Sequence, residues 1–134
     1  MAYTTIDDPS AHFQVTLYTG DGNDDRQVTN DGNSDLQPDW VWLKDRTQAE
    51  AHALFDSTRG ATKRIQSSNA NAESTEATGL TSFDSDGFTV SGDNNYNSNG
   101  DTFVAWSWRA NGGTTSSNGN GSITSTVQSS TSGS

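Results

Sequence analysis

The sequence predicts an all-β domain built from antiparallel sheets. Only 28% of the 134 residues are hydrophobic, and antiparallel sheets suit this composition because only every second residue of a strand has to be apolar. The large apolar side chains are also concentrated in a few short segments where apolar and polar residues alternate, the pattern of a half-buried strand. The chain length corresponds to one domain.

The first predicted strand follows a polar leader. Phe13, Val15 and Leu17 alternate with polar residues, and a Gly/Asp-rich turn ends the segment. We assign residues 1–10 to an extended N-terminal arm and residues 11–110 to the sheet domain. The arm is a candidate for docking on a larger particle through these residues: Tyr3, Ile6, Asp7, Asp8 and Pro9.

The longest segment able to build a core spans residues 37–61. Side chains two apart on a strand share a face, so Trp40 and Trp42 face one way and Val41 and Leu43 the other. A strand that is apolar on both faces suits the interior of a layered sheet. This segment therefore predicts a central strand.

Residues 51–60 are the predicted partner strand of a hairpin. They group four apolar residues, Ala51, Ala53, Leu54 and Phe55, before a glycine. A helix over residues 47–55 is the competing interpretation, because several of these residues are tolerable helix formers. The segment is short and lacks the i, i+3, i+4 apolar stripe of a packed helix, which favours the strand.

Three further strands are predicted at residues 63–65, 88–90 and 102–110. In the last of these, Phe103 and Ala105 share one face, while Val104, Trp106 and Trp108 share the other. The second face is the heavier, so we expect it to point into the core. The predicted core residues are Trp40, Trp42, Phe55, Phe88 and Trp106.

The C-terminal segment, residues 111–134, is rich in Gly, Ser and Thr and is predicted to be a linker. Such a segment buries almost nothing on its own, so we expect any order in it to come from other chains. Ile123 and Val127 are its sizeable apolar residues and could face a shared axis. We therefore expect a homo-oligomer, with a homotrimer as the preferred state.

The charge balance excludes some partners. Seventeen acidic residues against seven basic residues give a formal charge of −10, which disfavours binding to nucleic acid or to an anionic membrane. The absence of cysteine excludes disulfides and thiolate chemistry. The N-terminus resembles neither a secretory signal nor a membrane anchor, so we expect release by lysis or within an assembled particle.

Two loops place Asp and Asn at alternate positions, as calcium loops do: Asp21, Asn23 and Asp25 in one, and Asp93, Asn95, Asn97 and Asn99 in the other. The first has Arg26 and Gly32 where an EF-hand requires Gly and Glu, and the second lacks a bidentate carboxylate at the right distance. We interpret both loops as turns and predict no metal and no cofactor.

No catalytic constellation is predicted. The two histidines, His12 and His52, have no metal-ligand spacing and are interpreted as ordinary strand residues. Glu73 and Glu76 could form an acid–base pair, but nothing nearby predicts the apolar pocket that would raise one pKa. The chain is therefore predicted not to be an enzyme.

Five blocks carry a resemblance to a known family: IDDPSAHFQVTLYTGDG, DLQPDWVWLKDR, LFDSTRGATKRI, LTSFDSDGFTV and NGDTFVAWSWRANGG. In order, across residues 6–113, they resemble a repeated concanavalin-like domain of uncharacterised function in virion proteins of marine bacteriophages, especially the cyanophage type. The resemblance implies a lectin-type jelly-roll sandwich. It also implies that a second copy follows the Gly/Ser/Thr linker in a longer protein.

The resemblance implies a virion structural protein, a subunit of a tail fibre or capsid appendage that binds other virion proteins and contributes to host attachment. The alternative is a carbohydrate-binding module for a host surface glycan, with Tyr96 as an exposed platform in its Asn/Gly loop. Tyr96 could instead be a turn residue that leans back on the domain. A polysaccharide-cleaving enzyme ranks third, because the convergent carboxylates of such chemistry are missing.

Overall fold

A computed structural model describes residues 7–110, 116–119 and 121–128. These residues are mostly β, with one 3-10 helix (Pro9–Ala11) and one short α-helix, α1 (Asn94–Asn97). The strands are β1 (Phe13–Thr19), β2 (Arg26–Val28), β3 (Trp40–Asp45), β4 (Ala53–Asp56), β5 (Lys63–Arg64), β6 (Ser74–Thr75), β7 (Leu80–Asp84), β8 (Gly87–Val90), β9 (Thr102–Trp108), β10 (Ser116–Asn118) and β11 (Ser125–Val127). No helix in the described ranges has the length and hydrophobicity needed to cross a membrane.

The strands form several antiparallel sheets. The larger two are a four-stranded sheet in the order β1-β9-β3-β4 and a three-stranded sheet in the order β2-β8-β7. Two small sheets, β5-β6 and β10-β11, complete the described part of the chain. A jelly-roll strand order is not evident from these pairings.

The central hairpin is confirmed. β3 pairs antiparallel with β4, from Trp40 opposite Asp56 to Leu43 opposite Ala53. The helix considered for residues 47–55 does not form, since residues 47–52 make a connection without helical structure. The Asp45 carboxylate accepts the N–H groups of Thr47 and Gln48 at 2.7 and 2.9 Å, so the end of β3 is closed by a side chain of the strand itself.

The core lies where the two larger sheets face each other. The four-stranded sheet contributes the inward side chains of β1, β3, β4 and β9, and the three-stranded sheet contributes those of β2, β7 and β8. Phe55 and Phe88, both predicted core residues, are 0% exposed. Full burial of one such side chain contributes about 1.5–3 kcal/mol.

The prediction that Trp40, Trp42 and Trp106 build this core is wrong. They are half-buried and lie on the opposite face of the four-stranded sheet, so the inward residues of β9 are Phe103, Ala105 and Ser107. The core already contains aromatic rings from β1, β4, β8, β9 and α1, and the other two inward positions of β9 carry small side chains. Side-chain size alone therefore did not indicate the inward face.

The N-terminal boundary differs from the predicted extended arm. Asp8 caps the 3-10 helix by accepting the Ser10 N–H at 3.0 Å, and its other oxygen accepts the Ser34 hydroxyl at 2.5 Å. Asp8 and Pro9 are thus held against the sheet domain, because a cap needs a fixed carboxylate. Asp7 precedes the cap and is exposed, whereas Tyr3 and Ile6 lie outside the described residues.

The described part of the C-terminal segment is a hairpin. β10 pairs with β11, and the Gln128 amide donates to the Ser57 hydroxyl at 3.3 Å while its oxygen accepts the Thr58 hydroxyl. Ile123 is 81% exposed, and Val127 is half-buried. These contacts come from the same chain, and the homotrimer stays a prediction. Residues 111–115, 120 and 129–134 of the predicted linker lie outside the described residues.

Candidate functional site

The outer face of the four-stranded sheet is apolar and partly exposed to solvent. Five large hydrophobic residues are classed as exposed in the described ranges, and three of them, Phe13, Val15 and Leu17, lie on β1. They share a face with the half-buried tryptophans of β3 and β9. We call this surface the tryptophan face, and its members are Phe13, Val15, Leu17, Trp40, Trp42, Leu54, Trp106 and Trp108.

The strand register arranges these side chains in rows. In the first row, Trp108 of β9 stands between Phe13 and Trp40, with ring centroids 4.9 and 4.5 Å away. In the second row, Trp106 stands between Val15 and Trp42, and the two indole centroids are 5.5 Å apart. Cross-strand neighbours on one face are close enough to pack. The rings therefore form two adjacent aromatic rows on one face of the sheet.

The indole N–H groups of this surface differ in their bonding. Trp42 donates its Nε1–H to Nδ1 of His52 at 2.9 Å, which places the ring proton of the neutral imidazole on Nε2. Trp40, Trp106 and Trp108 donate no indole hydrogen bond to any other described residue. An indole N–H that becomes buried usually finds an acceptor. These three N–H groups have none among the described residues, so they are available to donate to a binding partner.

Few charges border the tryptophan face. Asp56 lies beside Trp40 on β4, but Arg59 pairs with it and also with Glu73 at 3.1 Å. Lys44 follows Trp42 on the same face of β3 and donates to the Gln48 carbonyl at 2.9 Å. The face is therefore close to neutral on a chain with a formal charge of −10.

Tyr96 is not the exposed glycan platform that was considered. It is 1% exposed, with its ring edge-on to Phe55 at 5.8 Å. Arg64 donates to its hydroxyl at 3.0 Å, and the Tyr18 hydroxyl donates to its carbonyl oxygen at 2.6 Å. Burial raises the pKa of Tyr96 to about 12, against the opposing effect of Arg64. Asp93 caps α1, and this short helix directs the Tyr96 ring inward. Tyr96 is therefore the turn residue that leans back on the domain, which was the alternative to the platform.

The two Asp/Asn loops contact each other. Asp21 accepts the Asn23 N–H at 3.0 Å, the Asn97 amide at 2.8 Å and Arg26 at 2.7 Å. These bonds, led by the one from the Asn23 backbone, hold the pKa of Asp21 well below its usual range. Asn97 is 0% exposed and donates also to the Asn23 carbonyl at 2.8 Å. The carboxylate is thus occupied by protein donors, and no group of three metal-ligating side chains occurs within the described residues.

The residues weighed for catalysis are dispersed. His12 follows the 3-10 helix and His52 contacts Trp42 at the sheet face. Glu73 is paired with Arg59, and Glu76 with Arg64 at 3.0 Å. The structure therefore does not bring these four residues together, and both glutamates are engaged by arginines.

Sequence reasoning missed the tryptophan face as a site because it assigned these residues to the core. The available signal was the repeated spacing: two strands that pair with each other each carry tryptophans two residues apart, at 40 and 42 and at 106 and 108. Such pairs share a face on each strand. Their register stacks all four indoles on one side of the sheet.

Comparison with known proteins identifies a family for this chain. Residues 8–134 match the family model described as a domain of unknown function (DUF7483). No curated protein and no solved structure matches the chain.

Proposed function

The chain belongs to the DUF7483 family, and we propose that it is a structural protein of a bacteriophage virion that binds through its tryptophan face. In this proposal it is a subunit of a tail fibre or capsid appendage, located in the virion, with other virion proteins as partners and a contribution to host attachment. The virion setting rests on the resemblance of the five sequence blocks. The observation that carries a binding role is the tryptophan face.

The placement of the tryptophans favours a binding role for this face over a purely structural role. The chain has only 28% hydrophobic residues, yet all four tryptophans lie on an outer face. Contiguous exposed apolar surface on a soluble domain marks interaction sites, and tryptophan is enriched at the centre of interfaces. A neutral face on an acidic chain also lets a partner approach without charge repulsion.

We also propose that the fold is a concanavalin-like jelly roll. Two antiparallel sheets that share one core support this assignment, since sandwiches are built in that way. The jelly-roll part of the assignment rests on the resemblance of the five sequence blocks. An experimental structure in which strands from the two sheets alternate along the chain as in a jelly roll would establish it.

The test of the virion role is mass spectrometry of purified particles from a phage that encodes this chain. We expect its peptides at a constant copy number per particle. A phage carrying Trp106→Ser and Trp108→Ser should assemble, but its particles should either fail to attach to the host or lack the neighbouring virion protein. The control phage with Ile123→Ser should behave as wild type. Particles that lack the protein altogether would end the proposal.

A carbohydrate-binding module is the second candidate, favoured by the free indole N–H groups of Trp40, Trp106 and Trp108. Aromatic rings pack on the apolar side of a sugar, and an indole N–H can donate to its hydroxyl oxygens. Glycan-array binding of the wild type that is lost in Trp106→Ser and kept in Ile123→Ser is the expected result. An array with no bound glycan argues for a protein partner instead.

A further inference from the structure

We propose that two copies of this chain pair along strand β1, antiparallel about a two-fold axis near Thr16. Their four-stranded sheets then join into one continuous sheet. The pairing is independent of what the tryptophan face binds, so either proposal can fail without the other.

The backbone of β1 has a free edge. Among the strands that the structure describes, β1 is the outermost of its sheet and pairs with β9 alone. At its two ends, Arg109 N–H donates to the His12 carbonyl at 3.0 Å and Gly20 N–H donates to the Asp101 carbonyl at 2.8 Å. Hydrogen-bonded pairs alternate along an antiparallel ladder, so the even-numbered residues of β1 bond to β9.

The odd-numbered residues therefore direct their N–H and C=O groups away from β9. These residues are Phe13, Val15, Leu17 and Thr19. Their outward backbone groups have no partner elsewhere in the part of the chain that the structure describes. Their side chains are also exposed, up to 62% for Leu17.

The residues of β1 and their register with β9 provide none of the usual protection of an edge strand against pairing. Natural edge strands carry charged side chains, proline or a bulge, or they are very short. β1 has seven residues, FQVTLYT, and none of them is charged, proline or glycine. Its register with β9 runs without a bulge from Phe13 to Thr19. An uncharged edge with apolar side chains is a template for another strand.

Charge and register both point to a second copy as the occupant. Two copies with a formal charge of −10 repel each other, so contact is least opposed where neither copy contributes charge, as along β1. Full-length antiparallel pairing places Val15 opposite Leu17 of the second copy and Phe13 opposite its Thr19. Odd residues then face odd residues, so the apolar side chains stay on one face, with about eight backbone hydrogen bonds along the junction.

The pairing also has a consequence for the tryptophan face. β1 borders that face, so two copies joined along β1 place their faces side by side on the same surface of one sheet. The apolar area available to a partner is thereby doubled without burying any tryptophan. Two linked sites also bind a repetitive ligand more tightly than one site does.

Native mass spectrometry and sedimentation of the wild-type chain test the stoichiometry. We expect a monomer–dimer equilibrium, and we expect Leu17→Lys to raise the dissociation constant at least about tenfold, the change that about 1.4 kcal/mol produces. Ile123→Lys makes the same charge change at another exposed apolar residue and should leave the constant unchanged. A monomer at all concentrations, a trimer, or equal effects of the two variants would overturn the pairing.

Cross-linking tests the register, because the chain contains no cysteine. The double variant Val15→Cys, Leu17→Cys should oxidise to a covalent dimer, whereas Ile123→Cys should not do so under the same conditions. Amide hydrogen exchange provides the second measurement. The N–H groups of Val15 and Leu17 should exchange slowly in the dimer and quickly in Leu17→Lys. Slow exchange of the Val15 N–H in a monomer would mean that another segment of the same chain pairs with β1, and this result would overturn the proposal.

Discussion

Trp40 stacks on Trp108 across β3 and β9, with the two ring centroids 4.5 Å apart and the ring planes inclined at 28°. This pair lies on the outer face of the sheet, and each indole protects part of the other from water. The stack accounts for tryptophans that are half-buried without being part of the core. It also means that loss of either ring exposes its neighbour.

The first prediction concerns the stability contributed by this pair. Trp40→Ala should lower the free energy of unfolding by about 1–2 kcal/mol, since an aromatic pair contributes about 0.5–1.5 kcal/mol beyond its buried area. Phe55→Ala should cost about 3–5 kcal/mol, because Phe55 is 0% exposed and leaves a cavity. Urea denaturation of both variants makes the comparison. Equal losses would place Trp40 in the core after all.

The second prediction concerns Tyr96. Tyr96→Phe keeps the ring against Phe55 but removes the oxygen that accepts from Arg64, so we expect a loss of about 1–2 kcal/mol. Tyr96→Ala should cost about 3–5 kcal/mol, as for other buried aromatics. Thermal and urea unfolding provide the measurement. A fully stable Tyr96→Ala variant would contradict the buried placement.

These two comparisons show where sequence reasoning succeeded and where it stopped. The alternation of apolar and polar residues predicted β1, β3 and β9 and the split of Trp40 from Val41, because the period of a strand is local. Which face of the four-stranded sheet points into the core depends on which face packs against Phe88 of the other sheet. That contact joins residues far apart in the sequence. For Tyr96 the sequence left two placements open, because Asn/Gly-rich surroundings suit both an exposed platform and a turn residue that leans back on the domain. The cap at Asp93, which turns Tyr96 inward, is the signal that distinguishes them.

The third prediction concerns acid stability. The pKa of Asp21 is lower in the folded chain than its usual value, so its bonds stabilise the fold above the unfolded pKa of about 3.9. This contribution should be lost as the pH falls below about 4 and through the lower folded pKa. Urea unfolding between about pH 2 and 6 should therefore show a smaller acid-dependent loss in Asp21→Asn than in wild type.

The control for this measurement is Asp35→Asn. Asp35 is exposed and makes no hydrogen bond or ion pair within the described residues, so its replacement removes the same charge without removing the Asp21 contacts. Its pH profile should follow that of the wild type. Two variants with identical profiles would show that net charge, and not the bonds to Asn97 and Arg26, sets the acid dependence.

The fourth prediction concerns the C-terminal hairpin. Gln128 joins it to the domain through Ser57 and Thr58, and exposed hydrogen bonds of this kind contribute about 0.5–1.5 kcal/mol each. Gln128→Ala should therefore leave the unfolding of the sheet domain nearly unchanged but speed proteolysis between residues 116 and 128. Thr126→Ala, in the same hairpin but without these contacts, should be cleaved at the wild-type rate. Because the contacts lie within one chain, dilution should not change the cleavage rate of the wild type. Faster cleavage on dilution would instead show that other copies order the hairpin, as the homotrimer requires.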